Sequence, residues 1–263
     1  MNDRPVAFVT GASRGIGRGI ALALAESGFD IVGNATSYDP NDPTRGLAEV
    51  GVCAKALGAS FAAAPGDVAN LDTHDRLLDL ALTRFGHVDV LVNNAGISPL
   101  ERQDVLETTP ASFDRVLALN TRGTFFLTQR FARRMVNQAR RPNSPPPAII
   151  FVSSVSARVS SPNRAEYCIS KAALSHAATI FADRLAPAGI NVYEVRPGIT
   201  RTDMTAPAAD YYDEQIAGGL VPLRRWGEPE DIARAVASLA RGDFAYATGI
   251  AIELSGGMNV QHF

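Results

Sequence analysis

Val6-Ala7-Phe8-Val9-Thr10-Gly11-Ala12-Ser13-Arg14-Gly15-Ile16-Gly17 is the stretch on which the reading of this chain turns. A strand-like apolar run passes into a glycine-rich turn, and an amphipathic helical pattern from Gly15 to Ser27 opens out of it. In that context backbone N–H groups can approach a pyrophosphate, where the helix dipole also favours negative charge. Gly11 permits the tight turn, Gly15 the close approach and Gly17 the packing of helix on strand. A lone glycine triplet is equally well explained by a βα turn that needs positive φ, so the rest of the chain has to separate the two readings.

Working outward, short apolar runs alternate with helical patterns. Strands are expected at Asp30 to Asn34, Val88 to Asn93, Ala148 to Ser153, Asn191 to Val195 and near Ile250 to Leu254, with a further one before Asp67. Helices are expected around Thr44 to Leu57 and over Leu71 to Phe85, Ser112 to Gln138, Ala165 to Leu185 and Glu228 to Ala240. The strands are nearly all apolar, as when helices cover both faces of a sheet. The expected fold is α/β: a Rossmann-type doubly wound parallel sheet with helices on both faces, one dinucleotide-binding and catalytic domain over residues 1–263. Arg141 to Pro147 (RPNSPPP) reads as a proline-stiffened surface loop.

The composition narrows the partners. With 25 basic and 27 acidic residues the formal charge is −2, so no global field recruits nucleic acid or an anionic membrane. Cys53 and Cys168 are too few for a disulfide framework and read as free thiols in a reducing compartment. Met1 to Pro5 carries charge and leads straight into a strand, which is no signal-peptide pattern, and no run reaches the roughly 18 apolar residues of a membrane span. A cytoplasmic protein is expected. His74, His87, His176 and His262 have no metal-ligand spacing with one another or with the cysteines, so they read as surface or helix-face residues and no metal site is expected.

The TGxxxGxG spacing of Thr10 to Gly17 resembles the turn of the short-chain dehydrogenases/reductases. Asp67-Val68, Asn93-Asn94-Ala95-Gly96, Tyr167-Cys168-Ile169-Ser170-Lys171, and Pro197-Gly198 with Thr202 extend the resemblance over nearly the whole chain. It implies an NAD(P)(H)-dependent oxidoreductase that moves hydride between the cofactor and a ketone or alcohol, with Tyr167 as acid/base. Tyr167 and Lys171 are four apart on an expected helix and share a face. A cationic neighbour favours the phenolate, lowering a pKa that is ordinarily about 10. The resemblance adds that Lys171 hydrogen-bonds the nicotinamide ribose. It makes Ser154, thirteen residues before Tyr167, the group that binds the substrate oxygen. Ser153 competes for that role, either serine also suits a strand-end cap, and a period of two puts them on opposite faces. Asn120 becomes the fourth catalytic member, holding a water that relays protons from Lys171; its alternative role is satisfying a local backbone group.

For the cofactor, the resemblance implies contacts from Gly11, Ser13, Arg14, Gly15, Ile16 and Gly17, from Thr36 and Ser37, and from Asp67 and Val68 at the adenine. Asn94, Ala95 and Gly96, then Tyr167 and Lys171, then Pro197, Gly198, Ile199 and Thr202 complete the set. NAD-preferring relatives carry an acidic residue where this chain has Ala35. Without that repulsion, Arg14, Thr36 and Ser37 suit a 2′-phosphate, which favours NADP(H). A solvated Arg14 and the nearby Asp39 leave NAD(H) open. Asp67 also suits the cap of the helix beginning near Leu71.

Ala35-Thr36-Ser37 and the Arg14 turn resemble the 3-oxoacyl-(acyl carrier protein) reductases of the family. Arg140 and Arg141 are candidates for docking an acidic carrier protein, although Ala188 stands where a second docking arginine is expected. Sugars, polyols and other small carbonyls stay open as substrates. A non-catalytic cofactor-binding regulator is the rival class, and intact Asn120, Ser154, Tyr167 and Lys171 speak against it. Arg201 to Gly219 lacks a clean period and reads as a mobile lid, with Met204, Tyr211 and Tyr212 as candidate substrate contacts. Trp226 reads as packing, as does Cys168. The resemblance further implies a homotetramer built on the helices around Ser112 to Gln138 and Ala165 to Leu185 and on the C-terminal strand.

Overall fold

The computed structural model describes residues 4–142 and 144–260. His262, and Asn143 of the proline-rich loop, lie outside the described residues. Seven parallel strands form one sheet: β1 (Val6–Val9), β2 (Asp30–Ala35), β3 (Phe61–Pro65), β4 (Val90–Asn93), β5 (Ala148–Val152), β6 (Asn191–Pro197) and β7 (Ala251–Leu254), in the order β3-β2-β1-β4-β5-β6-β7. The chain winds outward from β1 to β3, returns to β4 beside β1, and winds outward the other way. Ligands of such sheets bind beyond the carboxyl ends of the strands at this reversal.

Helices cover both faces. Ile20 and Leu24 of α1 (Gly15–Glu26), Leu47 and Val50 of α2 (Gly46–Ala56) and Ile232 and Val236 of α8 (Pro229–Arg241) pack with Val9, Ile31, Val92 and Ile150. On the other face Leu77 of α3 (His74–Phe85), Phe131 of α5 (Thr124–Val136) and Leu174 and Phe181 of α6 (Ala165–Leu185) pack with Phe8, Val32, Leu91 and Phe151. Each such side chain contributes about 1.5–3 kcal/mol by leaving water, so the two layers account for the near-continuous apolar strands.

Two expected elements divide differently. The helix read over Ser112 to Gln138 is α4 (Pro110–Leu117) and α5, joined by a π-helical turn at Ala118–Gly123. Gly123 lies so close to the Val68 carbonyl that a Cβ there would clash, and Asn120 is tied to a neighbouring loop, so the wider turn accommodates both. The lid segment holds a helix, α7 (Ala209–Ala217), whose Tyr212 and Ile216 pack with Val221 and Trp226 in a small separate core. Its mixture of small and aromatic residues hid that period. Among the described residues, no helix is long and apolar enough to cross a membrane.

Candidate active site

Gly11 and Gly15 both take positive φ, +65° and +53°, so the turn after β1 is closed to β-carbon-bearing residues without strain. Gly17 sits against the Gly11 carbonyl and 2.5 Å, measured from an added Cβ, from Asn94 Nδ2. Thr10 knots the turn to the end of β4: its hydroxyl accepts from the N–H groups of Asn94 and Ala95, both at 2.9 Å, and Asn94 Nδ2 donates to the Thr10 carbonyl at 2.9 Å. No side chain caps the first turn of α1, which leaves its amides free for an anion. Thr202 lies across the turn, 3.4 Å from where a Gly15 Cβ would stand.

From this turn a cavity of about 950 Å³ runs along the strand ends to Tyr167. Every residue expected to touch cofactor lines it: Gly11, Ser13 to Gly17, Thr36 and Ser37, Asp67 and Val68, Asn94 to Gly96, Tyr167, Lys171, Pro197 to Ile199 and Thr202. The end of β2 contributes Asn34 and Ala35 and no carboxylate. Asp39 is exposed, accepts from the Asn41 N–H at 2.9 Å and does not line the cavity. Arg14 is largely exposed and pairs with Asp203 at 3.1 Å. Asp67 closes its own turn by accepting from the Ala69 N–H at 2.9 Å, and the cap at Leu71 falls instead to Asn70, whose side chain accepts from the Asp72 N–H.

Tyr167, Ser154 and Lys171 meet at the far end of the cavity, all three buried. Ser154 caps a short 3₁₀ turn by accepting from the Ser156 N–H at 3.1 Å, and its hydroxyl acts to lower the pKa of the Tyr167 phenol. Ser153 points to the opposite side and donates to Glu194 and, at 3.4 Å, to the Val195 carbonyl. Period-two geometry thus resolves the two serines as expected. Burial pushes the Tyr167 phenol up, against the opposing influence of Arg164 and Ser154. Two cations flank the ring, the Arg164 guanidinium 5.1 Å and Lys171 Nζ 5.7 Å from its centroid; Arg164, which the i, i+4 reading did not name, opposes the rise. Lys171 donates to the Val152 carbonyl at 3.1 Å, and burial lowers its pKa to about 8 while Glu194 opposes the fall.

Asn120 is fully buried in the π-turn and its side chain clamps Ile97. Nδ2 donates to the Ile97 carbonyl at 2.9 Å and to Ser170 Oγ at 3.0 Å, and Oδ1 accepts from the Ile97 N–H at 2.8 Å. The local backbone role is what its side chain performs. Asn120 Oδ1 and Lys171 Nζ each lie 3.4 Å from where a Gly96 Cβ would stand.

With this geometry in place, comparison with known proteins decides the family. Residues 11–259 match the family model described as enoyl-(acyl carrier protein) reductase. The crystal structure of a 3-oxoacyl-(acyl-carrier protein) reductase from Brucella melitensis in complex with NAD superposes with a TM-score of 0.94 at 44% identity, over 100% of both chains. The 3-oxoacyl-(acyl-carrier-protein) reductase of Staphylococcus epidermidis is 36% identical over 96% of this chain and 98% of its own. The 2-dehydro-3-deoxy-D-gluconate 5-dehydrogenase of Escherichia coli is 33% identical over 96% and 94%. This chain belongs to the short-chain dehydrogenases/reductases. As such it is an NAD(P)-dependent oxidoreductase acting on CH–OH and C=O groups.

Other expectations of the family reading need correction. Arg140 and Arg141 do not stand at the cavity mouth. Arg140 donates to the Ala188 and Gly189 carbonyls and Arg141 pairs with Asp89 at 2.8 Å, all at the amino ends of the strands, opposite the site. Of the histidines read as surface or helix-face residues, His74 opens α3 and is fully buried, with its Nε2 2.8 Å from the Val68 carbonyl; burial lowers its pKa. Trp226 is buried as expected and donates to Asp213 at 2.6 Å.

The sequence reading passed over a buried cluster on β6. Glu194 accepts from Ser175 Oγ at 2.9 Å and pairs with Arg196 at 2.8 Å, and Arg196 also pairs with Glu253 of β7 at 2.9 Å. The alternation of Glu194 and Arg196 within an otherwise apolar strand was its signal. Arg164, at the N-cap position of α6 three residues before Tyr167, was also passed over.

Proposed function

We propose that this enzyme is an NADPH-dependent carbonyl reductase in which Ser154, Tyr167, Lys171 and Asn120 form the catalytic set. The observation that carries the reading is the convergence of Ser154 and Tyr167 on one point of a cavity that begins at the glycine turn. The turn fits a dinucleotide: its amides are uncapped, and Gly17 leaves no room for a side chain between α1 and Asn94. When bound there, the nicotinamide supplies the hydride. Ser154 holds the substrate oxygen, and Tyr167 gives its phenolic proton to that oxygen as the C=O bond becomes C–OH. Lys171 spends one N–H on Val152 and keeps two for the ribose and for the proton path, which Asn120 borders.

For the coenzyme, the absence of a carboxylate at the end of β2 and the placing of Thr36, Ser37 and Arg14 on the cavity wall favour the 2′-phosphate of NADP(H). The NAD in the Brucella melitensis relative supports NAD(H) as the second reading. Acyl thioesters on a carrier protein belong in the substrate panel because two relatives carry that name. The two free cysteines suit a reducing cytoplasm. Exposed Phe126 on α5 and Ile169 and Ile180 on α6 support a homotetramer built on these helices.

The test follows NADPH and NADH absorbance separately over a panel of ketones that includes an acetoacetyl thioester, with Tyr167→Phe as control. Turnover with NADPH that falls by at least about a hundredfold in the variant is expected. Equal turnover by the variant would remove Tyr167 from its role.

A further inference from the structure

Two arginines, exposed Arg102 and half-buried Arg164, line the cavity without a carboxylate partner among the described residues. Arg164 lies over the Tyr167 ring, its guanidinium held by neutral hydroxyls: Nε donates to Ser161 Oγ and one terminal nitrogen to Ser156 Oγ, both at 3.2 Å. Arg102 approaches from the other wall. It donates to the hydroxyl of Tyr212 at 2.8 Å and its guanidinium stands 5.5 Å from that ring's centroid. Both line the cavity, and among the described residues neither forms an ion pair with Asp or Glu.

The contrast with their neighbours is what gives this weight. Of the other arginines beside the cavity and its lid, Arg14 pairs with Asp203 and Arg201 with Glu228, both at the exposed surface. Asp104, the acidic residue of the cavity wall nearest Arg102 in sequence, accepts from the Leu106 N–H at 3.0 Å within its own turn. Hydroxyls hold the Arg164 fork in place but leave its charge uncompensated in a concave, partly apolar site. A planar guanidinium so placed is built to receive a carboxylate with paired hydrogen bonds.

We propose that Arg102 and Arg164 form a carboxylate subsite, so that the preferred substrates are short oxo acids, or the matching hydroxy acids, whose ketone lies close to the acid group. The proposal rests on the carbonyl-reductase reading and adds the substrate class. Because the Arg164 guanidinium lies 5.1 Å from the centroid of the ring whose hydroxyl protonates the substrate, a carboxylate bound to it sits within a few bonds of the reacting carbon. The reaction balances without a further reactant: hydride from the reduced nicotinamide reaches the carbonyl carbon, the C=O π bond breaks, and the Tyr167 proton completes the alcohol. The carboxylate is untouched.

Matched pairs test this: acetoacetate and 4-oxopentanoate against their methyl esters, with an acetoacetyl thioester as a third arm. We expect kcat/KM for at least one acid to exceed that of its ester by about tenfold or more, the range of a charge-assisted hydrogen bond, and the ratio to collapse towards one in the Arg102→Gln/Arg164→Gln double variant. An ester or thioester turned over as well as the acids would overturn the subsite and leave the reductase standing. If nothing is turned over, the reductase reading fails for this panel and binding decides the subsite separately. A rise in Tm of the NADPH-loaded protein with either acid, absent in the double variant, sustains it; no rise with either acid overturns it.

Discussion

Exchange of Lys171 for methionine should shift the pH dependence of stability in a direction set by burial alone. The ammonium is buried, and its pKa falls from an ordinary 10.5 to about 8, chiefly because burial penalises the charge. That fall corresponds to about 3 kcal/mol against the folded state whenever the lysine is charged in both states. The sign follows from proton counting. Below about pH 8 folded and unfolded chains both hold the proton, and the full penalty is present. Between about 8 and 10.5 the unfolded chain binds more protons, so stability gained through this group rises with pH, and above 10.5 the penalty is gone. Methionine has similar length and no charge, so the variant lacks this slope, while the lost bond to the Val152 carbonyl is a pH-independent cost. The stability difference, native minus variant, should therefore rise by about 2 kcal/mol between pH 7 and pH 10. In a chain of this size that is about 4–8 °C in Tm. Thermal unfolding of the cofactor-free proteins across this range measures it, other titrating groups cancelling in the difference. Parallel curves would refute the argument that Lys171 carries its charge into the folded state at a cost.

Three further outcomes follow from the site. Gly17→Ala places a Cβ inside contact with the Gly11 carbonyl, so the glycine turn must open; a loss of about 1–3 kcal/mol in stability and a tenfold or greater rise in the Kd for NADPH are expected by fluorescence titration. Arg14→Ala should lower the NADPH over NADH ratio of kcat/KM by about tenfold, with the KM for NADH little changed, and an unaltered ratio would dissociate Arg14 from the 2′-phosphate. Asn120→Leu strips Ile97 of two hydrogen bonds in a buried setting and should cost about 2–4 kcal/mol by denaturant titration, together with turnover.

What was legible in the sequence was whatever the backbone repeats. The alternation of apolar runs and helical periods announced the sheet because each strand has helices on both faces, and the bounds of α6 were readable to the residue. The glycine turn was legible because positive φ and close packing restrict residue type locally. The division of Ser153 from Ser154 followed from strand geometry alone. What stayed hidden was set by contacts across the fold. Asn120 reads as a mediocre helix residue, but the turn around it is π-helical because Ile97 and Val68, distant in sequence, hold it there. A second cation, Arg164, joins Lys171 beside the phenol from the N-cap position of α6, where helical spacing gives no signal. Arg140 was misplaced, and the burial of His74 stayed hidden, because polarity in sequence does not reveal whether a carbonyl such as that of Gly189 or Val68 awaits the side chain.

The buried charges beneath the site explain why Lys171 keeps its proton near neutrality at all. Lys171 and Arg196 contribute two positive charges, Glu194 and Glu253 two negative, and Ser153 and Ser175 donate to the Glu194 carboxylate. A buried cluster whose charges sum to zero avoids most of the desolvation penalty that an isolated ammonium would suffer. Glu194 is central to it, since it pairs with Arg196 and raises the lysine pKa. Removing its charge in Glu194→Gln leaves Arg196 to Glu253 and withdraws the one influence that opposes burial at Lys171. The lysine pKa should then fall below 8, so that activity declines at a lower pH on the alkaline side of the kcat profile, while the amide keeps the serine hydroxyls bonded and the strand in place. A profile unmoved by that substitution would mean that the bond to Val152 and the bound cofactor, and not the sheet beneath, set the protonation of the lysine.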